Sequence, residues 1–467
     1  MIRINTYMKL RKEGYVTLMA LIFGIIFVII ITGLVGLVFA NNKLNIAKEN
    51  RERAVQIAEA GLDYYRWFLA HFPTDLQNGT GGAGPYEEEY SDPEGGPIGK
   101  FSLEVSGNTE CNSITSVDIN STGWTYDQPN LKREVYGRYA RPSVAEFAYI
   151  INSGVWAGAN RDIYGPYHSN GGIRMDGANY STVTSGVQNW LCTSSFGCSP
   201  DQTQNGVFGA GSGSALWSFP ASTIDFSGIT LDLVNMKTQA QSTGIYLAPA
   251  SQGYHLIFKN DGTVDAYRVN NTSYVWGYDP SMGWQQDYYT IASETFLQNY
   301  TVPSACSLIF VEDDLWIEGT VKGKVTVASA NVTTPNVDPT IILSGNINYT
   351  TTNGTDGLTA IAEQSVLIPI NSPDDMVLSG IFMAQNGHFG RNYYPSSYSG
   401  YKRNSLTMTG TIVSNGRVGT QWTCGGTYCS GYNNRINSYD KKLASDPPPL
   451  TPYADDEYKF IEWREVE

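Results

Sequence analysis

Residues 15–40 read YVTLMALIFGIIFVIIITGLVGLVFA, a run without one charged side chain. As a helix rising ~1.5 Å per residue it covers about 39 Å, enough to cross a ~30 Å hydrocarbon core with some tilt. Arg3, Lys9, Arg11 and Lys12 precede the run, and Lys43, Lys48, Glu49 and Glu52 follow it. The basic leading flank predicts a cytoplasmic N-terminus and an outward-facing remainder, a single-pass membrane protein. Two other readings stand beside this one. A cleaved secretory signal has an apolar stretch of ~7–15 residues, shorter than this run, although Val38-Phe39-Ala40 offers a weak cleavage site. A plain membrane anchor is the second.

The chain continues NNKLNIAKENRERAVQIAEAGLDYYRWFLAHFP, which the spacing predicts as one helix up to Pro73. Ala47, Ala54, Ala58, Gly61, Leu62, Tyr65 and Leu69 recur at three- and four-residue intervals on one face, while Arg51, Glu52, Glu59, Asp63 and Arg66 lie away from it. Small residues on a helix face let a neighbouring backbone come close, so Ala54, Ala58, Gly61 and Leu62 are the expected helix-packing residues.

Two features carry a family resemblance. Gly14 follows a short basic leader and immediately precedes the apolar run, which resembles a prepilin leader. Asn50-Arg51-Glu52-Arg53-Ala54, followed by Ala58-Glu59-Ala60-Gly61-Leu62, resembles the N-R-x-R-A…A-E-A-G-L signature of PilX-type minor pilins. The resemblance spans about residues 9–72. It implies a type IV pilin-like protein, cut after Gly14 by prepilin peptidase so that Tyr15 becomes the mature N-terminus. The implied partners are the membrane, other pilin subunits and the pilus assembly machinery. Major pilins carry Glu at the fifth mature position, where this chain has Met19, and that departure points to a minor component.

Composition bounds the rest. The 467 residues include 48 Gly and 31 Tyr, only 16% are charged, and the formal net charge is −14. Abundant Gly and Tyr with few charges suit short strands and tight turns better than a helical enzyme. The acidic balance disfavours nucleic acid as a partner. Of the six cysteines, Cys192 with Cys198 and Cys424 with Cys429 are close enough in sequence to form disulfides in an oxidising compartment, and their C-x5-C and C-x4-C spacings are not those of zinc sites. The pairing of Cys111 and Cys306 is left open.

The expected architecture is mainly β with one long N-terminal α-helix. It comprises a leader (1–14), the transmembrane and amphipathic helix (15–72), a linker (73–99), a small sheet (100–142), a solenoid-like ectodomain (143–445) with an insertion near 185–305, and a tail (446–467). The solenoid rests on a weak repeat: GPYHSNGGI at 165–173 is echoed by GTIVSNGRV at 410–418, and by GIFMAQNGHF at 380–389 with one extra residue. Stacking such units gives a right-handed β-helix; the alternative is a β-sandwich with coincidental turns. The Asn-Gly pairs read as corners that tolerate left-handed backbone. Within the insertion, GYHLIFKNDGTVDAYRVNN predicts a hairpin turning at Asn260-Asp261-Gly262, without the spacing of a calcium loop. The tail is expected to cap the last coil or to stay loose.

No catalytic constellation emerges. His71, His168, His255 and His388 form no metal-spaced pair, and neither a G-x-S-x-G nor a phosphate-cradling loop is present. Asp313-Asp314 and Asp374-Asp375 read as adjacent strand residues facing opposite ways. Tyr393, Tyr394, Tyr398, Tyr401, Tyr428 and Tyr432 read as core and turn packing, with stacking on sugars as the rival. The expectation is therefore a non-enzymatic minor pilin-like component, with no cofactor and no metal, displaying a large extracytoplasmic β domain for assembly or adhesion. Surface glycans or proteins are the expected outer ligands. The alternatives are a membrane-tethered glycan-binding or glycan-cleaving β-helix and a secretion-system pseudopilin.

Overall fold

The computed structural model describes residues 10–92, 95–227, 232–334, 337–455 and 457–466, with side chains from residue 15 onward. By internal contacts the chain divides into two compact units. One takes in Met1–Ser106, Asp118–Arg138 and Glu462–Glu467, the other Gly107–Val117 and Tyr139–Ile461.

The first unit is built on α1 (Leu10–His71), 62 residues without a break. A five-stranded sheet accompanies it, ordered β1 (Tyr86–Asp92), β2 (Gly96–Glu110), β3 (Ser113–Thr125), β4 (Arg133–Ala140) and the C-terminal strand Lys459–Val466. Two expectations are corrected here. The 73–99 stretch is not simply a linker, because YEEEYSD forms β1 and β2 begins at Gly96. β1 sits at the sheet edge, where alternating acidic side chains face solvent and blunt the edge against further pairing; Glu87 lies 3.7 Å from Lys100, and Glu89 accepts the Tyr126 hydroxyl at 2.7 Å. The tail, in turn, neither ends loose nor merely caps a coil, since Lys459–Val466 completes the sheet.

The second unit is a stack of parallel coils, and the sandwich alternative fails on strand direction. One column of side chains shows the stacking. Ile245, Ile309, Val327, Ala360, Phe382, Ile412, Tyr149, Tyr167, Val183 and Trp217 pair in parallel from coil to coil. All but the partly buried Trp217 belong to the main core cluster. The order of that column is not the order of the chain. The chain enters mid-stack at Tyr149, climbs to Trp217, returns through the helix Leu233–Ser242 to the opposite end at Ile245, and winds back until Ile412 pairs with Tyr149. This seam also carries a side-chain ladder. The Asn152 amide donates to Asn415 Oδ1 at 2.9 Å, and the Asn170 amide donates to Asn152 Oδ1 at 2.8 Å.

The 185–305 stretch is consequently not one insertion. It holds the two ends of the stack and two hairpins that leave it. One is Asn189–Cys192 with Gln202–Asn205, and the other is Thr263–Asp279 with Gly283–Thr301. The predicted turn at Asn260-Asp261-Gly262 joins Tyr254–Phe258 to Thr263–Asp279, with Gly262 at φ +92°. Asp261 Oδ1 accepts from both the Thr263 amide and its hydroxyl, a local turn bond that accounts for the carboxylate without a cation.

The repeat corners work differently from the sequence expectation. Left-handed backbone falls at the glycine that opens each copy, with φ of +136° at Gly165, +157° at Gly380 and +138° at Gly410, and not at the Asn-Gly pairs. Gly171 and Gly387 are instead required by crowding. A Cβ at Gly171 would stand 2.5 Å from the Gly154 nitrogen, and one at Gly387 would stand 2.1 Å from Ser365 Oγ.

Candidate functional site

Two places gather candidate functional side chains: the length of α1 and a cavity on the coil stack.

Residues 15–49 of α1 are exposed apart from the half-buried Ala47, with Phe23 and Phe39 each 66% accessible. This is the one helix among the described residues long and apolar enough to cross a membrane. The Thr32 hydroxyl donates back to the Val28 carbonyl at 2.7 Å, so it needs no solvent partner in an apolar setting. The change comes at Asn50, the first buried residue among the helix's described side chains. Its amide donates to the Ile46 carbonyl at 3.0 Å, and its Oδ1 accepts the Thr125 hydroxyl at 2.9 Å. Beyond it Ala54, Ile57, Ala58, Gly61, Leu62, Tyr65 and Leu69 are buried.

What covers that stripe is the chain's own sheet. A Cβ on Gly123 of β3 would stand 2.3 Å from the Ala54 carbonyl oxygen and 2.5 Å from the Ala58 nitrogen, and one on Gly61 would stand 2.3 Å from Ser121 Oγ. Helix and strand backbones thus meet through glycine and alanine. Ala54, Ala58, Gly61 and Leu62, expected as helix-packing residues, are buried here, and at Ala54, Ala58 and Gly61 the close approach is intramolecular. Tyr15 is exposed. Gly14 lies within α1 before the first described side chain, and leader residues 1–9 lie outside the described residues.

All six cysteines pair: Cys111 with Cys306, Cys192 with Cys198, and Cys424 with Cys429. The last two close short hairpins and join no other functional group. Asp313 and Asp314 stand on a coil corner, not along a strand. Asp313 accepts the Ala250 amide and Asp314 the Thr340 amide, at 2.9 and 2.8 Å. Burial lifts the Asp314 carboxyl to about 6. Both are corner fastenings. Of the tyrosine cluster, Tyr394 and Tyr432 are fully buried and the other four are half-buried. His168 has Thr184 Oγ1 and Asn170 Oδ1 each 2.9 Å from a ring nitrogen.

The cavity, of about 300 Å³, is lined by His255, Tyr289, Ile291, Glu294, Trp316, Glu318, Ser344 and Asn371. His255 sits between two carboxylates, with Nδ1 2.9 Å from Glu294 and Nε2 3.4 Å from Glu318. Burial alone would depress the imidazolium, but the Glu318 and Glu294 carboxylates outweigh it and hold its pKa above the ordinary value. The His255 hydrogen bond in turn pulls Glu318 below the usual carboxylate range. Glu318 therefore stays ionised and is no proton donor near neutrality. The trio ties the hairpin, through Glu294, to two coil strands, through His255 and Glu318. Sequence reasoning missed it because the three residues meet only through the Tyr254–Phe258 to Leu315–Val321 pairing and the long hairpin register.

This arrangement sets a pH dependence. His255 is held charged above its unfolded pKa, so its stabilisation is complete below the ordinary imidazole range and is lost as pH rises through its folded value. Glu318 contributes above the ordinary carboxylate range and loses its contribution as pH falls through its lowered value. The charge-assisted contacts are worth on the order of 1 kcal/mol. His255→Gln should therefore cost stability near pH 6 and little at pH 9, measured as the difference in urea unfolding midpoint from the parent chain. An equal difference at both pH values would contradict the clamp.

No family model matches the chain, and no curated protein matches it. Among solved structures, the crystal structure of the competence-associated pilin ComZ from Thermus thermophilus is similar over 89% of this chain and 97% of that chain, at 13% identity and a TM-score of 0.30.

Proposed function

We propose that this chain is a pilin-like subunit of the PilX-type minor class, anchored in the inner membrane by the N-terminal half of α1 and displaying its coil stack outside the cell. The observation that carries this reading is the two-part surface of one continuous helix. Residues 15–49 are left uncovered by the chain itself, and from Asn50 onward the same helix is clad by its sheet. Its apolar part, residues 15–40, needs lipid or other helices around it. Both fit a subunit that waits in a membrane and then packs its bare half against equivalent helices of a type IV filament. Three disulfides accord with an oxidising compartment beyond the membrane. Proteolytic release after Gly14 by prepilin peptidase gives Tyr15 as the mature N-terminus. The role is structural: assembly of a filament and presentation of the β domain for adhesion.

Deleting residues 15–40 should move the protein out of the membrane fraction. Gly14→Arg should leave a full-length band where the parent chain is shorter by its leader. N-terminal sequencing of native material should begin at Tyr15. A start at Asn41, or unchanged shortening in the Gly14→Arg chain, overturns the reading.

A further inference from the structure

The long hairpin is turned inside out in its distal half. Register sets Trp276 opposite Gln286 and Tyr278 opposite Trp284, and strand alternation places these on one face. Tyr274 joins them, its ring 5.5 Å from that of Tyr288. On this face Tyr274, Trp276, Trp284, Gln286 and Tyr288 are all exposed. The opposite face buries carboxylates: Asp279 and Asp287 are 1% and 2% accessible. Asp287 accepts from the Tyr394 hydroxyl and, at 3.4 Å, from the Asn392 amide, and Asp279 accepts the Ser281 and Met282 amides. Folding for its own sake favours the reverse, with rings inward and carboxylates in water. The outward rings are therefore not explained by the stability of this chain.

Their surroundings say what they suit. From Asn270 to Ser293 there is no Lys, Arg, His or Glu, and the two Asp are the buried ones, in a chain with 30 basic and 44 acidic residues. The strip is also held in place. Trp284 meets Tyr278 and Tyr393 edge-on, each at 5.8 Å, and the Tyr288 hydroxyl donates to Gln286 Oε1 at 2.5 Å. We propose that this face binds a neutral, hydroxyl-rich saccharide chain. Ring faces pack on the C–H faces of sugar rings, while the Gln286 amide and the tyrosine hydroxyls serve sugar hydroxyls. The uncharged strip offers nothing to a sulfated or uronate polymer, and the net charge of −14 repels one. Because Trp284 and Tyr288 are already held before binding, they lose little conformational entropy on contact.

The proposal names a ligand class for the display role above and rests on that reading for its cellular setting. Saccharide binding is measured on the detergent-solubilised full chain, and membrane retention and processing are separate readouts, so either idea can fail alone. Calorimetric titration with hexasaccharides of glucose and of N-acetylglucosamine should show binding to at least one. Trp276→Ala and Trp284→Ala should each weaken it at least tenfold, while Trp67→Ala on α1 leaves it unchanged. Near-ultraviolet circular dichroism of the coil stack checks that the variants are folded. Four results overturn the proposal: no binding to either neutral oligomer, equal binding by the variants, hexagalacturonate binding as tightly, or loss of self-association in place of saccharide binding in the two tryptophan variants.

Discussion

A chain carrying Gly410→Val should fail to close its coils and lose on the order of 4 kcal/mol or more of stability. Two penalties act at one position. Gly410 has φ +138°, a backbone that a β-branched residue reaches only under strain. Its Cβ would also stand 1.9 Å from the Gly380 carbonyl oxygen, on the strand paired with it residue for residue. Neither strand can step back, because Ile412 is already held against Tyr149 on the far side. The reading is a thermal unfolding midpoint lowered by ~10 °C or more, with new trypsin cleavage among the coils. Gly419→Val is the control. A Cβ there meets nothing within 4 Å and the backbone is not left-handed, so its midpoint should hardly move. Similar losses from both substitutions would show that glycine freedom in general, and not this crowded corner, is at stake.

The second large effect concerns Cys111 and Cys306. They are 195 residues apart, whereas Cys192–Cys198 and Cys424–Cys429 span 6 and 5. In the loop-closure model a bridge over the longer separation restricts the unfolded chain by roughly 5 kcal/mol, against roughly 2 kcal/mol for the short ones. Both long-range cysteines are also buried in the second core cluster, so their loss opens a small cavity as well. At the tip of the β2–β3 hairpin Cys111 and Asn112 hold φ of +48° and +58°, the geometry of a tight two-residue turn. Replacing Cys111 and Cys306 together with alanine should shift the urea midpoint of the oxidised protein well below that of the Cys192→Ala, Cys198→Ala pair. Equal shifts would mean that loop length has no say in this fold.

The elements that could be read from residues alone are those whose chemistry is local. The apolar run at 15–40 declares a lipid-length helix, and its downstream stripe is visible because burial follows the helical period through Ala54, Ala58 and Leu62. The Asn-Asp-Gly turn is legible because its bonds reach only two residues. The coil repeat shows through at 165, 380 and 410 because stacked coils impose the same corner three times. The neighbouring coil at Tyr149 does not show it, since Phe147 stands where these three copies have glycine and the chain enters the stack there from a short 3-10 turn, Val144–Glu146. The seam, the return of Lys459–Val466 to the first sheet, and the meeting of His255 with Glu294 and Glu318 all depend on pairing between distant strands. No local pattern encodes that. What packs on the small-residue stripe is not legible for a related reason, because a face of alanine and glycine states only that some backbone comes near, and Gly123 that supplies it lies in another element.

The seam also puts a clock on biosynthesis. Asn152 and Asn415, neighbours across it, are 263 positions apart. At ~5–20 residues per second, a ribosome needs roughly 13–50 s to deliver the second after the first. For that interval the strand at Tyr149–Ile151 shows an open edge to whatever else is unfolded nearby. A chain cut short before residue 402 loses the middle of its column while both outer ends have already been made.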